Sequence, residues 1–547
     1  MKRLPLAFAS GLLAIAVVIP VTGGWLDPAG ASPRPGTGAG PTSTPTTAPT
    51  STGVGPAPGA SAPAPTASPI ATPAPVAVAD VAIVPVTQFR ATHRVATPAQ
   101  VAEVLAGTST RYEALVLVAS EAEAILTALG MDRPADAARL VLVDSAEDLA
   151  ADMSAHRRRL GFLRADAVTP AVRALAWNGS TLFGNDRVRD VAGWPLTASL
   201  PIPATGTAFD AATTWTLFAG GDILMDRGVH ETIKVKGKGV DFPFDGGTAE
   251  ITSRYCCSSF GWVLPRTKRT GNASAMRELI KGADLAIANF ENPAPDKPRW
   301  HTSGTVFSAD PSFLDGIERA GIDYLGLANN HIGDAGRNGI LQTIRNIEKR
   351  GLAHSGAGEN AAAARRPALL DANGTTVAIL AYDQIARYYA ADKDTPGSAR
   401  LSAGRVKTDV RKAREAGADV VIVFPHWGTE YRGTPTASQR DLAHAIIDAG
   451  ADMIIGNHAH WAVAMEVYAG KPIWYALGNF IFDQTWSEPT MEGITLELTF
   501  HGADLVQIVM RPHIILDKAQ PNFLAPAGDG RVVMDLVFGG PPGMLPW

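Results

Sequence analysis

The chain has 547 residues, 46% of them hydrophobic and 18% charged, with a formal net charge of -5 at pH 7. That length is room for two or three domains with sizeable cores. The charge balance lacks the basic face that a nucleic-acid partner wants, and two cysteines in so long a chain exclude a disulfide-rich scaffold and a cysteine-built zinc module.

Lys2 and Arg3 precede an apolar run from Leu4 to Val21, and Ala29-Gly30-Ala31 then offers small residues before Ser32. This is the pattern of a secretory signal over residues 1–31. The run is also long enough for an N-terminal membrane anchor. Either way the remainder is expected to be exported, to the cell envelope or beyond it. Residues 32–79 are almost entirely Pro, Ala, Thr, Ser and Gly, a composition that cannot bury enough apolar surface to fold and reads as an extended spacer.

Residues 80–200 read as a first α/β unit. Strands are expected at Val81–Val86, Leu115–Val118 and Leu140–Val143, and helices at Pro98–Leu105, Glu121–Gly130 and Ser145–Arg159. The stretches "VPVTQF" and "LGFLRADAVTPAVRALAWNG" resemble pieces of one lobe of periplasmic solute-binding proteins. A spacer or docking domain is the other reading of this unit. Residues 201–214 read as a linker.

From Trp215 to about Leu516 apolar runs recur between helical patterns: Thr216–Ala219, Leu285–Ala288, Tyr324–Leu327, Val377–Ala381, Val420–Phe424, Met453–Ile455 and Ile473–Leu477. The helices are Ser312–Ala320, Asn338–Arg350, Ala403–Ala416 and Ala437–Ala449. Gly321, Gly351, Gly417 and Gly450 each fall where a helix C-cap is expected. That regularity predicts βα units with parallel strands, whose ligands sit beyond the carboxyl ends of the strands. Residues 251–272, with adjacent Cys256 and Cys257 and the basic "RTKR", interrupt the pattern. Neighbouring cysteines bridge only with strain, so an exposed pair without catalytic role is expected. Residues 517–547 read as a C-terminal tail.

Polar residues of one kind follow the strands. "GGDILMDR" places Asp222 and Arg227, "NFENP" places Asn289 and Glu291, and "ANNHIGDAG" places Asn330, His331 and Asp334. "PHWGTEY" places His426 and Glu430, "GNHAHW" places His458 and His460, and "GNFIFDQ" places Asn479 and Asp483. If Met453–Ile455 is a strand, alternation points the imidazoles of His458 and His460 to one side. Two carboxylates, an amide oxygen and three imidazoles form a mixed O/N set that suits one or two divalent transition ions, Mn, Fe or Zn, rather than Ca. Two ions sharing a carboxylate would activate water for phosphoester displacement.

Residues 215 to about 515 resemble the CapA-like poly-γ-glutamate capsule biosynthesis family of the calcineurin-like metallophosphoesterase superfamily. The resemblance rests on "GD…R" at 221–227, "NFENP", "ANNHIGDAG", "HWGTEY", Gln439, "DAGADMIIGNHAHW" and "GKPIWYALGNFIFDQ". It implies a metallophosphoesterase-like α/β/β/α sandwich preceded by the smaller α/β domain. It implies Asp222 on one metal, Glu291 as the bridging carboxylate, Asn330, His426 and His458 on the second metal, and His460 returning to the first. His331 would be the catalytic acid. Arg227, Glu430 and Tyr431 would lie near an anionic substrate, with Asn479 a further substrate contact. The superfamily has a histidine two residues after the first aspartate, where this chain has Leu224, so the first metal is expected to lack a ligand.

Three readings follow. One is a metal-dependent hydrolase acting on an anionic polymer or a phosphorylated substrate at the envelope. Another is a polymer-binding or export factor that works with a capsule-synthesis membrane complex. The third is a surface solute-binding protein led by residues 80–200. His230, His301, His354, His444, His501 and His513 have no patterned company and are expected in packing or surface roles.

Overall fold

The computed structural model describes residues 77–202, 209–545 and 547. The expected signal or anchor and nearly all of the spacer lie outside the described residues. Among the described residues, no helix is long and apolar enough to cross a membrane.

The first sheet has six strands. Ala114–Val118 runs parallel to both Leu140–Val143 and Arg159–Arg164. Val78–Gln88 then pairs antiparallel with Arg159–Arg164, Val172–Ala174 and Thr197–Pro201. Ala114–Val118 is buried throughout, as a strand covered on both faces must be. Helix Pro98–Leu105 starts on a capping box between Thr97 and Gln100. Helix Ala122–Leu129 ends on Gly130 in the left-handed region. One expected helix is corrected. Ser145–Arg159 is helical only over Ala146–Ala155, and Arg159 opens a strand. His156 leaves helical geometry, and the apolar Leu160, Phe162 and Leu163 that follow are buried in the sheet.

The larger part is built on two further sheets. One has ten strands in the order Leu264–Gly271, Thr248–Tyr255, Gln520–Phe523, Asp504–Leu516, Glu492–His501, Thr214–Ile223, Leu285–Phe290, Tyr324–Gly326 and Ala353–Ser355, with Asn479–Ile481 also paired to Thr214–Ile223. The other has six, ordered Ala368–Ala372, Thr375–Asp383, Val420–His426, Met453–Ile455, Lys471–Trp474 and Met465–Tyr468.

Alternation along these strands explains the layering. Leu217, Ile287, Ile379 and Ile422 point into one cluster between the two sheets. Their neighbours Phe218 and Ala288 face helices Leu314–Ala320 and Gly336–Glu348, through Ile317, Ile340 and Ile347. Leu380 and Val423 face helices Ala403–Glu415 and Ala437–Asp448, through Val406, Val410 and Ile446. Strands apolar on both faces must be covered on both faces. The result is the expected α/β/β/α sandwich. Gly321, Gly351, Gly417 and Gly450 all hold positive φ at or just after helix ends.

Three segments differ from expectation. Ile473–Leu477 is not one strand. Lys471–Trp474 ends in the six-stranded sheet, and the chain crosses to the other sheet as Asn479–Ile481, pairing Asn479 with Asp222. The crossing is so close that a Cβ at Gly221 would overlap the Gly478 carbonyl. Residues 517–547 are not a plain tail. Gln520–Phe523 joins the ten-stranded sheet, and helix Arg531–Phe538 buries Val533, Met534 and Val537 in the inter-sheet core. The 251–272 interruption lies in a hairpin, Thr248–Tyr255 against Leu264–Gly271, with Cys256 and Cys257 joined by a disulfide near its tip.

The smaller sheet packs on the larger part through polar contacts as well as apolar ones. Gly184 N donates to Thr499 Oγ1 and Asn185 N to Glu497 Oε1, each at 3.0 Å. Arg187, buried, binds Thr214 and Asp284.

Candidate metal centre

Six expected donors meet beyond the ends of strands from both sheets. Asp222 lies near the end of Thr214–Ile223, His426 ends Val420–His426, and Glu291 follows Leu285–Phe290 by one residue. His458 and His460 follow Met453–Ile455, but not as an extended strand. Their φ values are 95° and 56°, so a turn rather than strand alternation sets their directions. Left-handed backbone at two non-glycine residues is uncommon, and such positions cluster at functional sites.

Two triads of ligand atoms result, Glu291/His426/His458 and Asp222/Glu291/His460, with every atom of a triad within 4.8 Å of the others. Glu291 belongs to both. Its Oε1 stands 3.5 Å from His426 Nε2 and 3.9 Å from His460 Nε2. Neither oxygen of this fully buried carboxylate has a hydrogen-bond partner. His426 Nε2 faces Asn330 Oδ1 at 2.7 Å and His458 Nδ1 at 3.1 Å. Asp222 Oδ1 accepts from Asn289 Nδ2 at 2.7 Å, and Oδ2 from the His458 backbone N–H at 3.2 Å. His460 Nδ1 donates to Asn479 Oδ1 at 2.9 Å, which leaves the Nε2 lone pair turned toward Glu291.

The electrostatics point one way. Burial pushes the Asp222 carboxyl up to about 7, against hydrogen bonds from Asn289 and His458 that lower it. Burial, then the charges of Asp222 and Glu430, hold Glu291 well above the usual carboxylate range. Burial and then neighbouring imidazoles hold His426 well below its ordinary value, and burial and then His331 bring His458 to about 3. His460 comes to about 3 through burial and then His458. Three neutral imidazoles and two carboxylates short of compensating charge are what a bound cation relieves. The residues therefore fit a divalent ion, and the shared Glu291 fits two.

The other expected site residues fall around this centre. His331 Nδ1 donates to Asp334 Oδ2 at 2.9 Å, and its Nε2 is 4.0 Å from Glu291 Oε1. Its ring lies on Phe307 with centroids 4.1 Å apart. Tyr431 stacks on His460 with centroids 5.8 Å apart.

Three further expected residues are placed, and of these Asn479 is corrected. Arg227 pairs with Asp483 at 2.5 Å and donates to Gly304 O at 2.8 Å, while its buried Nε has no hydrogen-bond partner. Asn479 is fully buried between His460, Gln484 and Thr490, and holds His460 instead of facing substrate. Glu430 lies close enough to Glu291 for its charge to help raise that carboxyl. Leu224, where the resemblance implies a histidine, is fully buried in an apolar cluster with Phe307, Phe482 and Ile515.

Two residues that the sequence placed at strand ends without a role act as supports. Asn289 Nδ2 spans Asp222 and lies 3.2 Å from His426 Nδ1. It precedes Glu291 by two positions, and strand alternation puts such residues on one face. Asp334 fixes His331 from three residues on. Of the unpatterned histidines, His301 binds Asp226 at 2.6 Å and His513 binds Asn479 O at 2.9 Å, both in holding roles.

Residues 216–484 match the family described as bacterial capsule synthesis protein PGA_cap. The capsule biosynthesis protein CapA of Bacillus anthracis is 36% identical over 216 residues, 38% of this chain and 53% of that protein. The PGA biosynthesis protein CapA of Bacillus subtilis (strain 168) is 33% identical over 271 residues, 49% of this chain and 63% of that protein. The chain thus spans less than two thirds of the length of either relative. Among solved structures, the calcineurin-like phosphoesterase YfkN from Bacillus subtilis is 14% identical with a TM-score of 0.28, covering 54% of this chain and 90% of that one.

Proposed function

On the premise that residues 216–484 are a CapA-like domain of the PGA_cap family, we propose that this protein hydrolyses a bond in the making or processing of an anionic capsule polymer of the poly-γ-glutamate class, using a metal-dependent centre. The observation that carries the proposal is Glu291, a buried carboxylate without a hydrogen-bond donor, set among three neutral imidazoles. A carboxylate so placed is costly without a counter-charge.

Asp222, Glu291 and His460 would hold one ion, and Glu291, His426, His458 and the Asn330 oxygen a second. The donor set suits Mn, Fe or Zn. Such ions, when bound, supply positive charge and Lewis acidity toward a substrate oxygen. The residues do the rest. Asp334 accepts from His331 Nδ1–H, so that in the doubly protonated ring Nε2 would be the atom that gives a proton to a leaving oxygen. Asn479 and Asn289 hold His460 and Asp222 in their ligating directions. An anionic polymer or a phosphorylated compound is the substrate class, reached at the cell envelope after export and in the company of a membrane capsule-synthesis complex.

The test is elemental analysis of the full chain, wild type beside His458→Ala, followed by turnover assays on phosphodiester and poly-γ-glutamate substrates. One or two equivalents of Mn, Fe or Zn, with metal and turnover both falling in the variant, are expected. A wild-type protein that takes up no metal under replete conditions would sink the proposal.

A further inference from the structure

A second charged site lies at the junction of the smaller sheet with the larger part. A cavity of about 190 Å³ is lined there by Arg94, Arg173, Asn185, Glu497, Gln507 and Arg511. Arg173 comes from strand Val172–Ala174 and Arg94 from the loop after Val78–Gln88, both in the smaller sheet's unit. Glu497, Gln507 and Arg511 come from the paired strands Glu492–His501 and Asp504–Leu516.

The charges in this cavity do not balance. Glu497 is already occupied: Oε2 accepts from Arg511 Nε at 3.0 Å, and Oε1 from the Asn185 backbone N–H at 3.0 Å. Among the described residues, neither Arg94 nor Arg173 makes an ion pair. Arg173 is 6% exposed, and its Nε is buried with no hydrogen-bond partner. Burial, then the charges of Arg94 and Arg511, bring its guanidinium down to about 10. Asp186 at the lining offers one further carboxylate, from an exposed position. Three guanidiniums therefore face one neutralised and one exposed carboxylate. Buried charges are paired in stable proteins, and an unpaired one marks a missing counter-ion.

Gln507 narrows the class of that ion. It is 6% exposed, and its Oε1 is a buried acceptor with no donor. The cavity thus presents orphan donors from arginine together with one orphan acceptor. A tetrahedral oxyanion carrying one O–H satisfies both, with oxygens toward the guanidiniums and its hydroxyl toward Gln507. A water takes about 30 Å³ of liquid, so the cavity has room for such an ion. We propose that the junction of the two parts is a binding site for a small protonated oxyanion of the phosphate class, separate from the metal centre.

The test is calorimetric titration of the full chain with inorganic phosphate near neutral pH, after chelator treatment so that no metal contributes. Wild type is expected to bind phosphate saturably at one site. Arg94→Ala should weaken binding by about tenfold or more, the loss of one charge-assisted contact, and Arg173→Gln should abolish it. His458→Ala should bind as wild type does, which separates this site from the metal centre. Sulfate, which has no O–H for Gln507 near neutral pH, should bind at least about tenfold more weakly. Absence of saturable binding to wild type, or binding untouched by Arg94→Ala, would overturn the site. If Arg173→Gln does not fold, Arg94→Ala decides alone, because Arg94 is exposed and without a pairing carboxylate. Equal binding of sulfate would overturn the assignment to a protonated oxyanion.

Discussion

Oε1 of Glu291 stands 3.5 Å from Nε2 of His426, yet no hydrogen bond reaches either oxygen of that carboxylate. Its folded-state pKa is raised, so the stability linked to it is present at pH below the ordinary carboxylate value and lost as pH rises. In chelator-treated protein at alkaline pH, Glu291→Gln should therefore unfold at higher denaturant than wild type, by about 1–3 kcal/mol. The same variant should bind less metal. Unfolding curves with chelator and metal content without it check the two halves. A variant that gains no stability and keeps all its metal would remove Glu291 from the centre.

Asp334 acts through His331. It accepts from Nδ1 at 2.9 Å and also receives the Phe307 backbone N–H at 2.8 Å. Asp334→Asn should lower turnover about 10–100-fold and shift the limb of the pH–rate profile that reports His331, while metal content holds. A loss of rate with an unmoved profile would mean that Asp334 only supports the loop.

Leu224 stands where the resemblance implies a ligand, and its side chain packs with Phe307, Phe482 and Ile515. Leu224→Ala should cost about 2–5 kcal/mol as a core truncation. Metal stoichiometry should not change, because the side chain offers no donor. Altered stoichiometry at intact stability would show that this position shapes the centre after all.

Glu492 opens the strand Glu492–His501 and is buried. Burial, then the charge of Glu488, pushes its carboxyl up to about 8, and Oε1 has no partner. Arg254, whose charge lowers it, pairs with Glu488 at 2.7 Å. A raised carboxyl pKa means stability held below the unfolded value and lost as pH rises to about 8. Wild type and Glu492→Gln should be equally stable near pH 4, and the variant more stable by on the order of 1–3 kcal/mol near pH 9. Denaturant titrations at the two pH values check this, and parallel curves would place Glu492 in a solvated setting.

The sequence by itself determined the local elements and the donor residues. Met453–Ile455 and helix Pro98–Leu105 are found at the bounds their patterns suggest. His426 and Glu291 were visible because apolar runs end in them, and a run that must be buried leaves its polar terminus at the sheet's edge. Only the tertiary structure decided which sheet each strand joins. Strands apolar on both faces, such as Leu285–Phe290 and Val420–His426, carry no mark of their partner in their period. It also decided that Asn479 crosses to Asp222 and serves His460, that Arg227 is taken by Asp483, and that Arg94, Arg173 and Arg511 line one cavity. Periodicity reports the direction of a side chain within its own element. Distances between residues far apart in the chain are set by how the layers pack, and the unpaired charges at the metal centre and the junction exist only once that packing has removed water from them.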